Sequence, residues 1–139
     1  MTDLERAKKE LRERGCTCVL VRGETVYESR DRGIKPLMQW LANGTDCRDF
    51  AAADKVVGRA TAFLYARLGV REVWAQTMSE GAMEVLERMG IPHSCGRQVD
   101  AILNRTKDGF CPMESAVRAV SDPDEAYRIL LEKVRSMNR

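Results

Sequence analysis

Cys111 stands where a chain would prepare a nucleophilic or redox thiol. Asn104-Arg105-Thr106-Lys107-Asp108-Gly109-Phe110-Cys111-Pro112-Met113-Glu114 reads as a polar loop ending in a cysteine, with a helix directly after it. Pro112 suits the first helical position, where its missing N–H leaves no bond unmade. Glu114 falls in the first turn, where an acid complements the helix dipole. Unpaired N–H groups at such a helix mouth stabilise a thiolate, and Arg105 and Lys107 add positive charge. The reading is therefore a depressed pKa at Cys111, with Glu114 beside it for proton transfer. The alternative is a small residue that fills a gap next to Phe110.

Other residues offer partners for that thiol. Asp54, Gly58 and Tyr65 share one face if residues 51–68 form a helix. A glycine inside a helix costs about 1 kcal/mol against alanine, so Gly58 implies a close approach by a backbone or a ligand. Asp54 is the candidate acid or base, unless it only pairs with Lys55 or Arg59 at the surface. Thr77 and Ser79 fall where a strand meets a helix, and N–H groups there hold an anion or a carbonyl oxygen, or are simply capped. Arg32, Lys35, Lys55, Asn104 and Arg105 are candidates to clamp a phosphate or carboxylate, against the commoner reading of solvated charges. Cys16 with Cys18, and His93 with Cys95, have strand spacing for a metal site, but not the spacing of a zinc knuckle. A cysteine pair inside an apolar strand is core, so no metal is expected. There is no phosphate-binding glycine loop, dinucleotide fingerprint or serine elbow, and no cofactor is expected.

Composition bounds the rest. The chain has 139 residues, which points to one domain spanning 1–139. It is 44% hydrophobic and 32% charged, the balance of a globular protein with its own core. Acids and bases alternate from Glu5 to Arg14, and the net charge is only +2, so nucleic acid is not the expected partner. No apolar run approaches the roughly 20 residues of a membrane span. Five cysteines and a charged start argue for a cytoplasmic protein with reduced thiols rather than a disulfide framework. The expected partner is a small molecule.

The elements that would carry these residues follow from periodicity and breakers. A helix around Leu4, Ala7 and Leu11 stops at Gly15. Residues 16–21 and 25–29 form a β-hairpin, with the first strand inside the sheet. A short helix follows over 37–42, then the long helix over 51–68 with Val56, Val57, Ala60, Phe63, Leu64 and Leu68 as its apolar stripe. Strands are expected at 71–76 and 91–95, and helices at 80–89, 99–103, 112–120 and 123–137. The outcome is a three-layer α/β/α protein, its mixed sheet made of an antiparallel hairpin and parallel strands. Ligands of such sheets bind at the carboxyl ends of the parallel strands. The hairpin edge leaves room for a homodimer.

This order resembles the cytidine deaminase-like fold. Arg32-Gly33-Ile34-Lys35-Pro36-Leu37, Ala53-Asp54-Lys55-Val56-Val57-Gly58, Ser79-Glu80 and Cys111-Pro112-Met113-Glu114 together look like a small uncharacterised bacterial and archaeal family of that fold. The resemblance covers nearly the whole chain. It implies a fold and a site region, and it brings no reaction. Working deaminases hold zinc with His-x-Glu or Cys-x-Glu at one helix start and Pro-Cys-x-x-Cys at the next. Here the expected starts read Ala51-Ala52-Ala53-Asp54-Lys55 and Thr77-Met78-Ser79-Glu80-Gly81, without His or Cys. Asp54 would lie near the place of that zinc.

Two functions fit. One is a cysteine-dependent enzyme on a small polar or nucleotide-like substrate, with Cys111, Asp54 and Ser79 in one pocket and Asp54 or Glu114 moving the proton. Its weakness is the want of a nearby base of moderate pKa. The other is a non-catalytic module that binds a small ligand or senses redox state through Cys111.

Overall fold

A computed structural model describes residues 1–103 and 111–137. Helix α1 (Asp3–Glu13) leads into β1 (Cys18–Arg22) and β2 (Thr25–Ser29), followed by α2 (Lys35–Ala42). Then come β3 (Ala51–Val57), α3 (Arg59–Leu68), β4 (Glu72–Ser79), α4 (Glu80–Arg88) and β5 (His93–Val99). Short α5 (Pro112–Ala116) and long α6 (Pro123–Met137) follow. The sheet order is β2-β1-β3-β4-β5. β1 is antiparallel to β2 and β3, while β3, β4 and β5 run parallel. The expected mixed α/β sheet, with its hairpin and with helices on both faces, is what the chain forms.

Alternation along β1 sends side chains to two cores. Val19 and Val21 meet Ala7 and Leu11 of α1, with Ala53 from β3. Cys18 and Leu20 face the larger core, built from α2, α3, α4 and α6 around Leu37, Phe63, Leu64, Leu86 and Leu130. α1 therefore covers one side alone, and the crossover helices pack together on the other.

Of the expected elements that the structure corrects, one matters for the site. Residues 51–57 are not the start of a long helix but the central strand, bonded to β1 on one side and β4 on the other. Alanine favours helix in isolation, but tertiary pairing overrides that preference. Here small side chains let helices approach both faces of the strand, Ala53 on one and Ala52 on the other. Asp54 accordingly sits in the middle of a strand, not in a helix's first turn. The expected helix at 99–103 is also absent: β5 runs through Val99, and residues 100–102 are irregular. α5 ends at Ala116 rather than at 120.

The sheet separates the two metal-spaced pairs. β3 and β4 stand between the strands of Cys18 and Cys95, which puts them roughly 14 Å apart at the usual strand spacing. Cys16 precedes β1 and packs with α1, so it does not share a face with Cys18. These four residues cannot ligate one ion.

Proline separates the two descriptions of residues 51–57. Ala53→Pro would be tolerated in a helix's first turn but removes a ladder bond from a central strand. We expect the variant to lose its cooperative thermal transition by circular dichroism.

Candidate functional site

The site is built where β3 hands over to α3. Gly58 is the N-cap of α3, extended at φ −101° and ψ −175°, and it brings no capping side chain. The cap comes instead from α5. One carboxylate oxygen of Glu114 accepts the N–H of Arg59 at 2.7 Å, and the other accepts that of Ala60 at 2.6 Å. A Cβ on residue 58 would lie 1.9 Å from Glu114 Oε1 and 2.8 Å from Ile102 Cγ1. Glycine is thus required here by a carboxylate that needs the space, not by a left-handed backbone. Burial raises the Glu114 pKa against the opposing pull of both N–H groups and of Arg59. With both oxygens engaged, Glu114 acts as a helix cap that joins α5 to α3.

Arg59, which the sequence offered only as a surface partner for Asp54, instead extends this joint. Its Nε donates to the Val117 carbonyl at 3.0 Å, and Nη2 donates to that of Val120. Nη1 lies 3.5 Å from Glu84, and the guanidinium stacks 5.1 Å above the Phe63 ring. The long stem and planar head reach two backbone carbonyls at once.

Asp54 is the unusual charge. It is 7% exposed, and no Lys, Arg or His pairs with it among the described residues. Tyr65 Oη donates to its Oδ2 at 2.6 Å, and the Val56 N–H to its Oδ1 at 3.2 Å. Cys18 Sγ lies 3.0 Å from Tyr65 Oη, and with that hydroxyl proton committed to Asp54 the thiol is the donor. Burial pushes Asp54 up from 3.8 to about 6, although these donors pull the other way. Cys18 and Tyr65 are both raised well above their ordinary values, chiefly by burial, so both stay protonated. Asp54 and Tyr65 do meet, but as a strand residue and a helix residue facing each other.

A cavity of about 370 Å³ opens over this group. Asp54, Lys55, Gly58, Cys111 and Glu114 all line it, with Arg32 and Asp31 from the segment before α2. Ile34, Val56, Ile102 and Met113 supply much of the apolar wall. Cys111 is half-buried, and its N–H donates to the Ile102 carbonyl at 3.1 Å. It precedes a helix of only five residues, so the dipole invoked from sequence has little length from which to build. Ser79 is not in this cavity. Its Oγ accepts the Ala82 N–H at 3.1 Å as the cap of α4, and it lines a neighbouring cavity of about 400 Å³. Glu114 and Ile102 border both cavities. Thr77 lies within β4, in register with Val56 and Arg97, and lines neither. Lys35 is exposed, with its Nζ 4.0 Å from Asp31, and is outside the lining. Asn104 and Arg105 lie outside the described residues. Among the described residues there is no group of three potential metal ligands, and no helix is long and apolar enough to cross a membrane.

The architecture is that of an α/β protein with its cavity at the carboxyl end of the central strand. Residues 6–134 match the family described as a domain of unknown function, DUF1893 (TM1506), and the chain belongs to that family. It is similar to the crystal structure of a DUF1893 family protein (TM1506) from Thermotoga maritima, with 27% sequence identity and a TM-score of 0.87. That similarity covers 96% of this chain and 91% of the other. No curated protein matches the chain.

Two measurements follow from this geometry. Glu114→Ala should lower the denaturant midpoint by the equivalent of about 1–2 kcal/mol, the value of a lost charged cap. Gly58→Ala should cost at least as much, because its Cβ displaces the same carboxylate. The double variant should fall short of the sum, since both changes act through one contact. Asp54 gives a pH signature. Its stabilising effect is complete below pH 3.8 and disappears as pH rises through about 6. Above that, the charged form costs roughly 3 kcal/mol, at about 1.4 kcal/mol per pH unit. Asp54→Asn should therefore melt higher than wild type at pH 8, with the difference closing towards pH 4.

Proposed function

We propose that the chain is an enzyme that works through Cys111 on a small polar substrate bound at the end of β3, on a deaminase-like fold that lacks the zinc motifs. The observation that carries this reading is that Cys111 and Asp54 line one cavity. A carboxylate with a pKa of about 6 is the base of moderate strength that a cysteine nucleophile needs beside it. In the proposed step Asp54 accepts the thiol proton, and the Cys111 sulfur forms a bond to an electrophilic carbon of the substrate. Asp54 then returns the proton to the departing group. Tyr65 holds the carboxylate in place through its 2.6 Å bond. Arg32 and Lys55, at the cavity wall, have no ion pair among the described residues and suit an anionic group on the substrate. Glu114 has no part in the proton transfer, because α3 engages both its oxygens. The true helix starts, Gly58-Arg59-Ala60 and Ser79-Glu80-Gly81, again carry no His or Cys, in keeping with the missing zinc set.

A second reading, a module that binds a small ligand or senses oxidants, draws on a different observation. Cys111 Sγ has no hydrogen-bond partner among the described residues, as suits a thiol left open to reagents.

Thiol labelling separates these readings. Cys47, in the connection between α2 and β3, is 1% exposed, so half-buried Cys95 is the fair reference. With iodoacetamide at pH 7, read by peptide mass spectrometry, Cys111 should label at least about tenfold faster than Cys95. Its rate should decline below about pH 6, as Asp54 becomes protonated. Asp54→Asn should remove most of the advantage. A rate equal to that of Cys95 would end the nucleophile proposal, and a fast rate indifferent to Asp54→Asn would favour the sensor.

A further inference from the structure

Asp54 is a buried carboxylate with hydrogen bonds and no counter-charge among the described residues. Neutral donors reach it from Tyr65 Oη and the Val56 N–H, and the Lys55 N–H and the Cys18 thiol also favour its charged form. None of these groups carries a positive charge. A charge held away from water without a partner is costly, and proteins retain one where something else supplies the opposite charge. Asp54 also faces a cavity, so the missing charge has a route in. Of the acids in the lining, Asp31 lies 4.0 Å from Lys35 Nζ and Glu114 has both oxygens engaged by α3, which leaves Asp54 as the one without a counter-charge among the described residues. The cavity walls are otherwise largely apolar, from Ile34, Val56, Ile102 and Met113.

We propose that the substrate of this cavity is a small amidine or guanidine, whose planar cation pairs with Asp54 while its central carbon faces Cys111. The inference rests on the cysteine-enzyme reading and adds the chemical class. A flat amidinium presents two parallel N–H donors, which match a carboxylate in bidentate fashion. Its carbon is electrophilic because it carries the delocalised positive charge. The same group thus answers both the unpaired acid and the thiol.

The chemistry balances with water as the co-reactant. The Cys111 sulfur bonds to the amidinium carbon, and the thiol proton passes through Asp54 to one nitrogen. The C–N bond breaks and that nitrogen leaves as ammonia or an amine. The remaining cation is joined to sulfur. Water then adds to the carbon and the C–S bond breaks. The thiol is regenerated and one proton is released, leaving an amide from an amidine or a urea from a guanidine. Nothing is oxidised or reduced.

The test uses two reagents of the same shape on the full chain. One is 2-chloroacetamidine, a cation at neutral pH; the other is neutral 2-chloroacetamide. The rate of alkylation at Cys111 is measured for each, and the ratio is divided by that of free cysteine. We expect a corrected preference for the amidine of about tenfold or more, the scale of one charged hydrogen-bonded contact. It should fall towards unity in Asp54→Asn. In wild type alone, acetamidine should protect Cys111 from 2-chloroacetamide, and acetamide should not. A reactive Cys111 that shows no preference and no protection overturns the amidine assignment and leaves the cysteine enzyme standing. A Cys111 inert to both reagents overturns the enzyme reading, and this inference with it.

Discussion

A carboxylate 55 residues away in sequence completes the helix on which the cavity depends. α3 begins at a glycine that cannot cap it, and Glu114 reaches in to accept its first two N–H groups. Everything near the site is set by that joint. It fixes α5 against α3, forms part of the wall between the two cavities, and keeps residue 58 without a side chain. Arg59 reinforces it from the other side by holding the turn after α5. Uncapped N–H groups at a buried helix start would carry a desolvation cost comparable to several lost bonds. The fold meets that demand with a charge from a distant element rather than with a local serine or aspartate.

Asp54 sets a second constraint, of opposite sign. The larger core around it is apolar, and burial there raises its pKa to about 6. Two protonated neighbours, Tyr65 and Cys18, soften the cost without removing it. A hydrophobic residue of similar size would stabilise the strand more, as is common when a buried charge is replaced. The fold therefore retains a less stable choice beside a cavity, and that combination more often marks chemistry than packing.

Much of this was legible in the residues. The hairpin, the parallel crossovers and the helix at 80–88 followed from alternation, helical spacing and breakers. Gly58 announced a close approach, although the neighbour proved to be Glu114. What misled was Ala51-Ala52-Ala53, where local propensity and the stripe ahead of it read as helix while pairing on two sides made strand. Lys55-Val56-Val57 followed by Gly58 was the signal for a strand and a break. Glu114 read as a first-turn acid, because nothing in a linear sequence shows that its oxygens will cap a different helix. Arg59 and Cys18 were assigned other partners for the same reason: those they have come from elements far along the chain.

Synthesis adds an order in time to the Glu114 joint. Residues emerge from the ribosome in sequence, and early segments begin to organise before later ones exist. The central sheet through β5 is complete by Val99, while Glu114 is still unmade. Until it arrives, the first N–H groups of α3 have only water to bond. The nascent chain thus carries a finished sheet beside an open pocket, and the wall bearing Cys111 closes over Asp54 only afterwards. The residue that shuts the cavity joins the fold only after the sheet beneath it has been made.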